Sequence, residues 1–71
     1  MEVINYELEV RRVYPSKSDI DIDFYYDKVA KENLWHVDIV DYKAKSMRCI
    51  GKGLFKNDAW KKAYEYVQSQ K

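Results

Sequence analysis

The sequence predicts a small α+β domain: a four-stranded antiparallel sheet followed by one C-terminal helix, in the order ββββα. Three observations carry this. Apolar and polar residues alternate along residues 2–14 and 19–27, the pattern of half-buried strands. Ala59, Trp60, Ala63, Tyr64 and Val67 fall at helical spacing and give a helix one apolar face. Both glycines of the chain, Gly51 and Gly53, stand just before that helix, where a turn has most use for backbone freedom. A sheet with short connections needs one face covered, and one amphipathic helix covers it. The other face is left for solvent or a partner.

In residues 2–14, Ile4, Tyr6, Leu8, Val10 and Tyr14 share one parity, and Asn5, Glu7, Glu9 and Arg11 share the other. A helix using Ile4, Leu8 and Arg11–Arg12 is the rival reading; the clean alternation favours the strand. Pro15-Ser16-Lys17-Ser18 reads as a turn, because Pro fixes φ and serines bond to nearby backbone. In residues 19–27, Ile20, Ile22, Phe24 and Tyr26 oppose Asp19, Asp21 and Asp23. The first two strands therefore read as a long antiparallel hairpin. Residues 28–33 form a polar connection with slight helical character. Trp35, Val37 and Ile39 begin a third strand, with His36 and Asp38 opposed and Asp41 terminal. Residues 42–46 turn, and residues 47–50 make a short fourth strand. Its buried face is open, since Met47 and Cys49 compete with Ile50. The helix is expected over about 58–68. Asn57 is expected to be its N-cap, with Asp58 near the positive end of the dipole.

Seventy-one residues make one domain, spanning 1–71. A chain this short is marginal unless well packed, bound to something or oligomeric, so a homodimer is among the expected states. With 46% apolar residues, intrinsic disorder is excluded. No apolar run reaches membrane-span length, and residues 1–18 lack a signal-peptide apolar region. The single cysteine, Cys49, cannot form an internal disulfide, which fits a reducing cytoplasm. It is expected to behave as a small buried hydrophobe. Net charge is only +1, yet unevenly distributed. Residues 19–41 hold seven acids against Lys28 and Lys31, and residues 42–71 hold eight bases against Asp58 and Glu65. The pattern suggests one acidic and one basic surface.

From Asp23 onward the expected order is strand, loop, strand, turn, strand, glycines, helix. With Gly51-x-Gly53-x-x-Lys56-x-x-Ala59-x-x-x-Ala63 and Trp35-x-Val37-x-Ile39, this resembles the C-terminal part of the double-stranded RNA-binding domain. The resemblance covers roughly two-thirds of the chain, and its motif is moderately specific. It implies that the helix start contacts phosphates and that the alanines pack on the sheet. The binding residues depart from the family pattern. Phe55 stands where a small hydroxyl residue is usual, Asn57 where a second lysine is, and Trp60 at a third basic position. Residues 28–33 lack the Gly-Pro-x-His type element that reaches a minor groove. The alternating segment 2–14 stands in place of the family's first helix. That family reads duplex shape through successive grooves and intervening phosphates.

Lys52, Lys56, Lys61, Lys62 and Arg48, with Lys43 and Lys45 nearby, are the candidate phosphate-binding residues at a helix N-terminus. A solvated lysine face is the equal alternative. Asp19, Asp21 and Asp23 would stand ~6.6–6.8 Å apart on an extended strand, close to the separation of neighbouring phosphates. Such a row suits a nucleic-acid mimic; by base rate it is the charge guard of an edge strand. Calcium binding by Asp-x-Asp-x-Asp is not expected, because the Gly and distal Glu are absent. His36 is the only histidine and is expected on a strand surface beside acids. Tyr25, Tyr42 and Tyr66 would mark an interface or base-stacking surface if they cluster.

No Cys/His cluster, Gly-rich nucleotide loop or nucleophile motif is present, so neither cofactor, metal nor catalysis is expected. The leading expectation is a non-catalytic cytoplasmic module binding nucleic acid, RNA first, through the basic turn and helix start. The alternative is a protein-binding inhibitor or adaptor, the compact, Lys/Asn/Tyr-rich chain suiting a small phage or mobile-element protein. It would engage a host nucleic-acid-processing protein through the acidic hairpin or through Tyr25 and Tyr42.

Overall fold

A computed structural model describes residues 3–14 and 19–70. The domain is α+β, with helix α1 (Tyr6–Val13), strands β1 (Ile20–Asp27), β2 (Glu32–Asp41) and β3 (Ser46–Gly53), and helix α2 (Lys56–Ser69). The three strands form one antiparallel sheet in the order β1-β2-β3. The expected four-stranded sheet with one helix is corrected to three strands and two helices. The expected turn at Pro15–Ser18 lies outside the described residues.

The first segment is helical for reasons visible locally. The Asn5 side chain accepts a hydrogen bond from the Leu8 amide at 3.1 Å, a capped N-terminus. Glu7 and Glu9 lie in the first turn, and Arg11 and Arg12 in the last, matching the dipole. Glu7 pairs with Arg11 at 2.9 Å and Glu9 with Arg12 at 3.1 Å. Tyr6, Val10 and Tyr14 turn to the core. Four residues is close to one helical turn and also an even number, so these three satisfy both the helical and the strand pattern. Leu8 and Ile4, which the strand reading needed inside, are half exposed.

β1 and β2 pair in register from Ile20↔Ile39 to Asp27↔Glu32. β3 pairs along the other side of β2, with a bulge beside Val37 and Asp38. The bulge resolves the open question about β3. Met47 and Cys49 stand opposite Val40 and Asp38, on the face away from the helices, while Ile50 joins the core and Gly51 lies under α2. Such a bulge also bends an edge strand against unwanted pairing.

The helices share one face of the sheet. α2 packs mainly on β3 and also on β2, and α1 packs on α2. Val10, Ile20, Val37, Ile50, Ala59, Trp60, Ala63 and Val67 form the core between them. The glycines are not turn residues. Both belong to β3 and neither has positive φ. A Cβ at Gly51 would fall on the Ala59 carbonyl oxygen and lie 2.5 Å from the Ala63 nitrogen, so glycine here lets helix and strand backbones approach. Among the described residues the left-handed positions are Lys31 and Lys45, in the two hairpin turns. α2 begins before Asn57, with Phe55 as its N-cap and no side-chain cap bond. Asn57 as N-cap is thereby corrected, while Asp58 does lie in the first turn.

Candidate functional site

The face of the sheet that no helix covers is not a plain solvated surface. Asp27, His36 and Asp38 are only 7%, 3% and 2% exposed there. Asp27 ends β1, and His36 and Asp38 lie on β2. The Tyr25 ring stacks on His36 at 3.8 Å, and its hydroxyl donates to Asp38 at 3.1 Å. The Lys52 ammonium reaches across from β3 and donates to Asp27 at 2.8 Å. His36 Nδ1 donates to the Leu34 carbonyl at 2.9 Å, and Nε2 faces Asp27 at 3.1 Å. His36 is therefore a buried linker, not the strand-surface histidine the sequence suggests.

Asp27 is the hub. Its other oxygen accepts the Val29 and Ala30 amides, each at 2.9 Å, which closes the β1–β2 turn as an Asx turn does. One carboxylate thus ties a turn to all three strands. The Lys52 ammonium, the Ala30 amide and His36 hold its carboxyl well below the usual carboxylate range, against the opposing effect of burial. A depressed folded-state value gives stability that is complete above about pH 4 and lost as pH falls toward the folded value. The melting temperature should therefore fall on acidification below about pH 4, and more steeply in the parent than in Asp27→Asn. Thermal melts by circular dichroism across that range check this; identical slopes would remove Asp27 from the hub.

Every buried side-chain N and O atom among the described residues has a hydrogen-bond partner. Burial, with the Asp38 charge and hydrogen bond, pushes the Tyr25 phenol up to about 12. Cys49 is exposed, not buried as expected. Partial burial of its sulfur still raises the thiol, away from a reactive thiolate. Among the described residues no group of His, Cys, Asp and Glu is arranged to hold a metal ion, and no helix is long and apolar enough to cross a membrane.

The candidate basic residues do not form one patch. Lys52 is bound to Asp27. Lys62 shares a shallow groove between β3 and α2 with Lys52, Cys49 and Tyr66, and its ammonium lies 3.8 Å from Glu65. Arg48 donates to the Tyr66 hydroxyl at 3.1 Å, toward the far end of α2. Lys61 is exposed on α2. Lys56 opens α2, and its ammonium sits over the Trp35 ring, 4.8 Å from the centroid. Trp35 contacts Phe24 in turn, ring centroids 5.3 Å apart.

β1 runs along a free edge of the sheet, and Asp21 and Asp23 are exposed on it. Asp19 precedes the strand and is half-buried; its carbonyl accepts the Val40 amide at 2.8 Å. The acidic row is thus two residues long. The tyrosines do not cluster: Tyr25 covers His36, Tyr42 is exposed after β2, and Tyr66 holds Arg48.

Lys28 and Lys31, which the sequence does not single out as site residues, lie exposed in the β1–β2 turn. The register puts Phe24 opposite Trp35 and Trp35 opposite Gly53, so this turn and the start of α2 stand at the same end of the sheet. No protein-family model, curated protein or solved structure matches this chain.

Proposed function

We propose that this chain is a small non-catalytic nucleic-acid-binding module, RNA first, built like a double-stranded RNA-binding domain. Its contact surface is the end of the sheet where α2 starts and β1 turns into β2. The observation that carries the reading is Lys56 over Trp35 at the first residue of α2, at the same end as Lys28 and Lys31. The corrected element order, α-β-β-β-α with both helices on one face, supports the resemblance more fully than the segment 2–14 did when read as a strand. Gly51, Gly53, Ala59 and Ala63, the motif residues, lie together at the β3–α2 contact. Lysines at such a surface bind phosphates and displace counterions.

Lys56→Ala, Lys61→Ala and Lys28→Ala are each expected to weaken binding to labelled duplex RNA about equally for all sequences. Each should reduce the salt slope by about one at most. Lys52 is left out, because its ammonium is held by Asp27; Lys52→Ala should show first as a lower melting temperature. The Asn variants of Asp19, Asp21 and Asp23 should bind RNA as well as the parent or better. An anisotropy titration at several salt concentrations reads all of these. Absence of RNA and DNA binding at low salt would overturn the reading. The inhibitor alternative, resting on the exposed Asp21 and Asp23 at a free edge, would then stand, and a protein partner lost only in the Asn variants would establish it.

A further inference from the structure

At the end of the sheet that carries the proposed contact surface, the helical layer stops short of the strands. Phe24 and Tyr26 lie on the helix-bearing face of β1, the face of Ile20 and Ile22. Yet Phe24 is 53% exposed and Tyr26 54%, whereas Ile20 is 2%. Large aromatic rings left open beside lysines suit a ligand that is flat and apolar on its faces and anionic along its chain. Nucleobases on a phosphate backbone have that character. Trp35 is half-buried and carries the Lys56 ammonium on its ring; Phe24 meets Trp35 in a tilted contact that still leaves it 53% exposed, so the open rings are those of Phe24 and Tyr26. Lys28 and Lys31 follow in the turn just after Tyr26, and Lys56 sits over Trp35, the neighbour of Phe24, against the acids Glu32 and Asp58 at the same end.

The β1–β2 turn argues against a ligand that is duplex alone. It is a tight turn, closed by the Lys31 amide on the Asp27 carbonyl at 2.7 Å and by the two amides on the Asp27 carboxylate. Such a turn has no length to reach into a minor groove, where duplex shape is read. The aromatic shelf stands beside it. Resting on the nucleic-acid reading above, we infer that Phe24 and Tyr26 stack on unpaired bases. The preferred ligand is then an RNA duplex that carries a single-stranded overhang, its phosphates held by Lys28, Lys31 and Lys56.

The test compares three labelled RNAs in one anisotropy titration: a blunt duplex, the same duplex with a short pyrimidine overhang, and the overhang strand alone. The overhang duplex should bind about tenfold tighter than the blunt one for each base stacked. Phe24→Leu keeps the apolar bulk and removes the aromatic face; it should erase that preference and leave blunt-duplex affinity unchanged. Tyr26→Ala should reduce the preference in part, and Lys56→Ala should weaken both duplexes alike. Circular dichroism melts confirm that each variant is folded. Stacking should also quench Trp35, which is partly exposed, while the buried Trp60 is spared; Trp35→Phe should remove the quenching. Equal binding of blunt and overhang duplexes, unchanged by Phe24→Leu, would overturn the stacking inference and leave the nucleic-acid reading intact. No binding of these RNAs, or of the same sequences as DNA, at low salt would overturn both.

Discussion

Gly51→Ala is expected to destabilise the domain by about 3 kcal/mol or more, the upper end of overpacking costs. The added methyl would meet the Ala59 carbonyl oxygen and the Ala63 nitrogen. Both are backbone atoms in the middle of α2, so no side chain can rotate out of the way. The helix would have to lift off β3, opening the layer that holds Ile50, Ala59 and Ala63. Lifting α2 would also move Lys56 from Trp35, so the fold and the proposed contact surface would fail together. Gly53→Ala should cost less. Its nearest neighbour is the Asp58 Cβ at 2.7 Å, in the first turn of α2, where a helix end can splay. Urea denaturation followed by far-UV circular dichroism orders the two variants. A Gly51→Ala protein as stable as the parent would mean that α2 does not sit on β3 at this distance.

The C-terminal half was legible in the sequence because its signals have one meaning. Ala59, Ala63 and Val67 recur every fourth residue, but Trp60 next to Ala59 breaks the strand parity and leaves only the helix, and all four are buried on α2. Residues 20–26 alternate, and they form β1. Residues 2–14 failed because their decisive spacing has two meanings: Tyr6, Val10 and Tyr14 recur every fourth residue. The tie-breakers were local and present, namely the Asn5 cap and the Glu7–Arg11 and Glu9–Arg12 pairs. Such pairs contribute little each, about 0.2–0.5 kcal/mol, but they exist only in a helix. Gly51 and Gly53 do stand at the β3–α2 junction, for close packing and not for a turn. A sequence shows that a glycine is needed, and only the packing shows whether for a turn or for close approach.

The Asp27 hub was not legible for a different reason. Asp27, His36 and Lys52 lie on three strands, so their meeting depends on register, which no single segment encodes. One trace was present. Leu34 and Val40 share the parity of His36 and Asp38, and a central strand apolar at both parities has side chains shielded on both faces, here on the helix-free face by Tyr25 and Lys52 from the flanking strands. That pattern marks His36 and Asp38 as enclosed and calls for cross-strand partners. Lys52 then follows as a partner and not as a free phosphate ligand. The lysines at that end of the sheet were hidden in the same way, since Lys28 and Lys56 come to the same end only when β1 pairs with β2 and β3 returns beside it.

Trp60→Ala is expected to cost ~3–5 kcal/mol, the range for removing a buried aromatic. A chain of this length has a total stability of the same order, so the variant should be largely unfolded at physiological temperature. Trp60 is 4% exposed in the core where α1, α2 and the sheet meet. Arg11 of α1 lies over its ring, 5.1 Å from the centroid, so the indole is the wedge between the two helices. The expected apolar group around it holds: Ala63 and Val67 share the core, and Tyr64 packs at its margin. Tyr64 also meets Tyr6 of α1, ring centroids 5.4 Å apart, a second contact across the helix pair. Trp60→Phe keeps a ring in place and should cost clearly less than Trp60→Ala. Arg11→Ala should cost at most about 1 kcal/mol, the worth of an exposed cation over an aromatic face. Denaturant melts of the three variants give the ranking. If Trp60→Ala melts with the parent, or if Arg11→Ala costs more than it, the helix pair is not wedged on this indole.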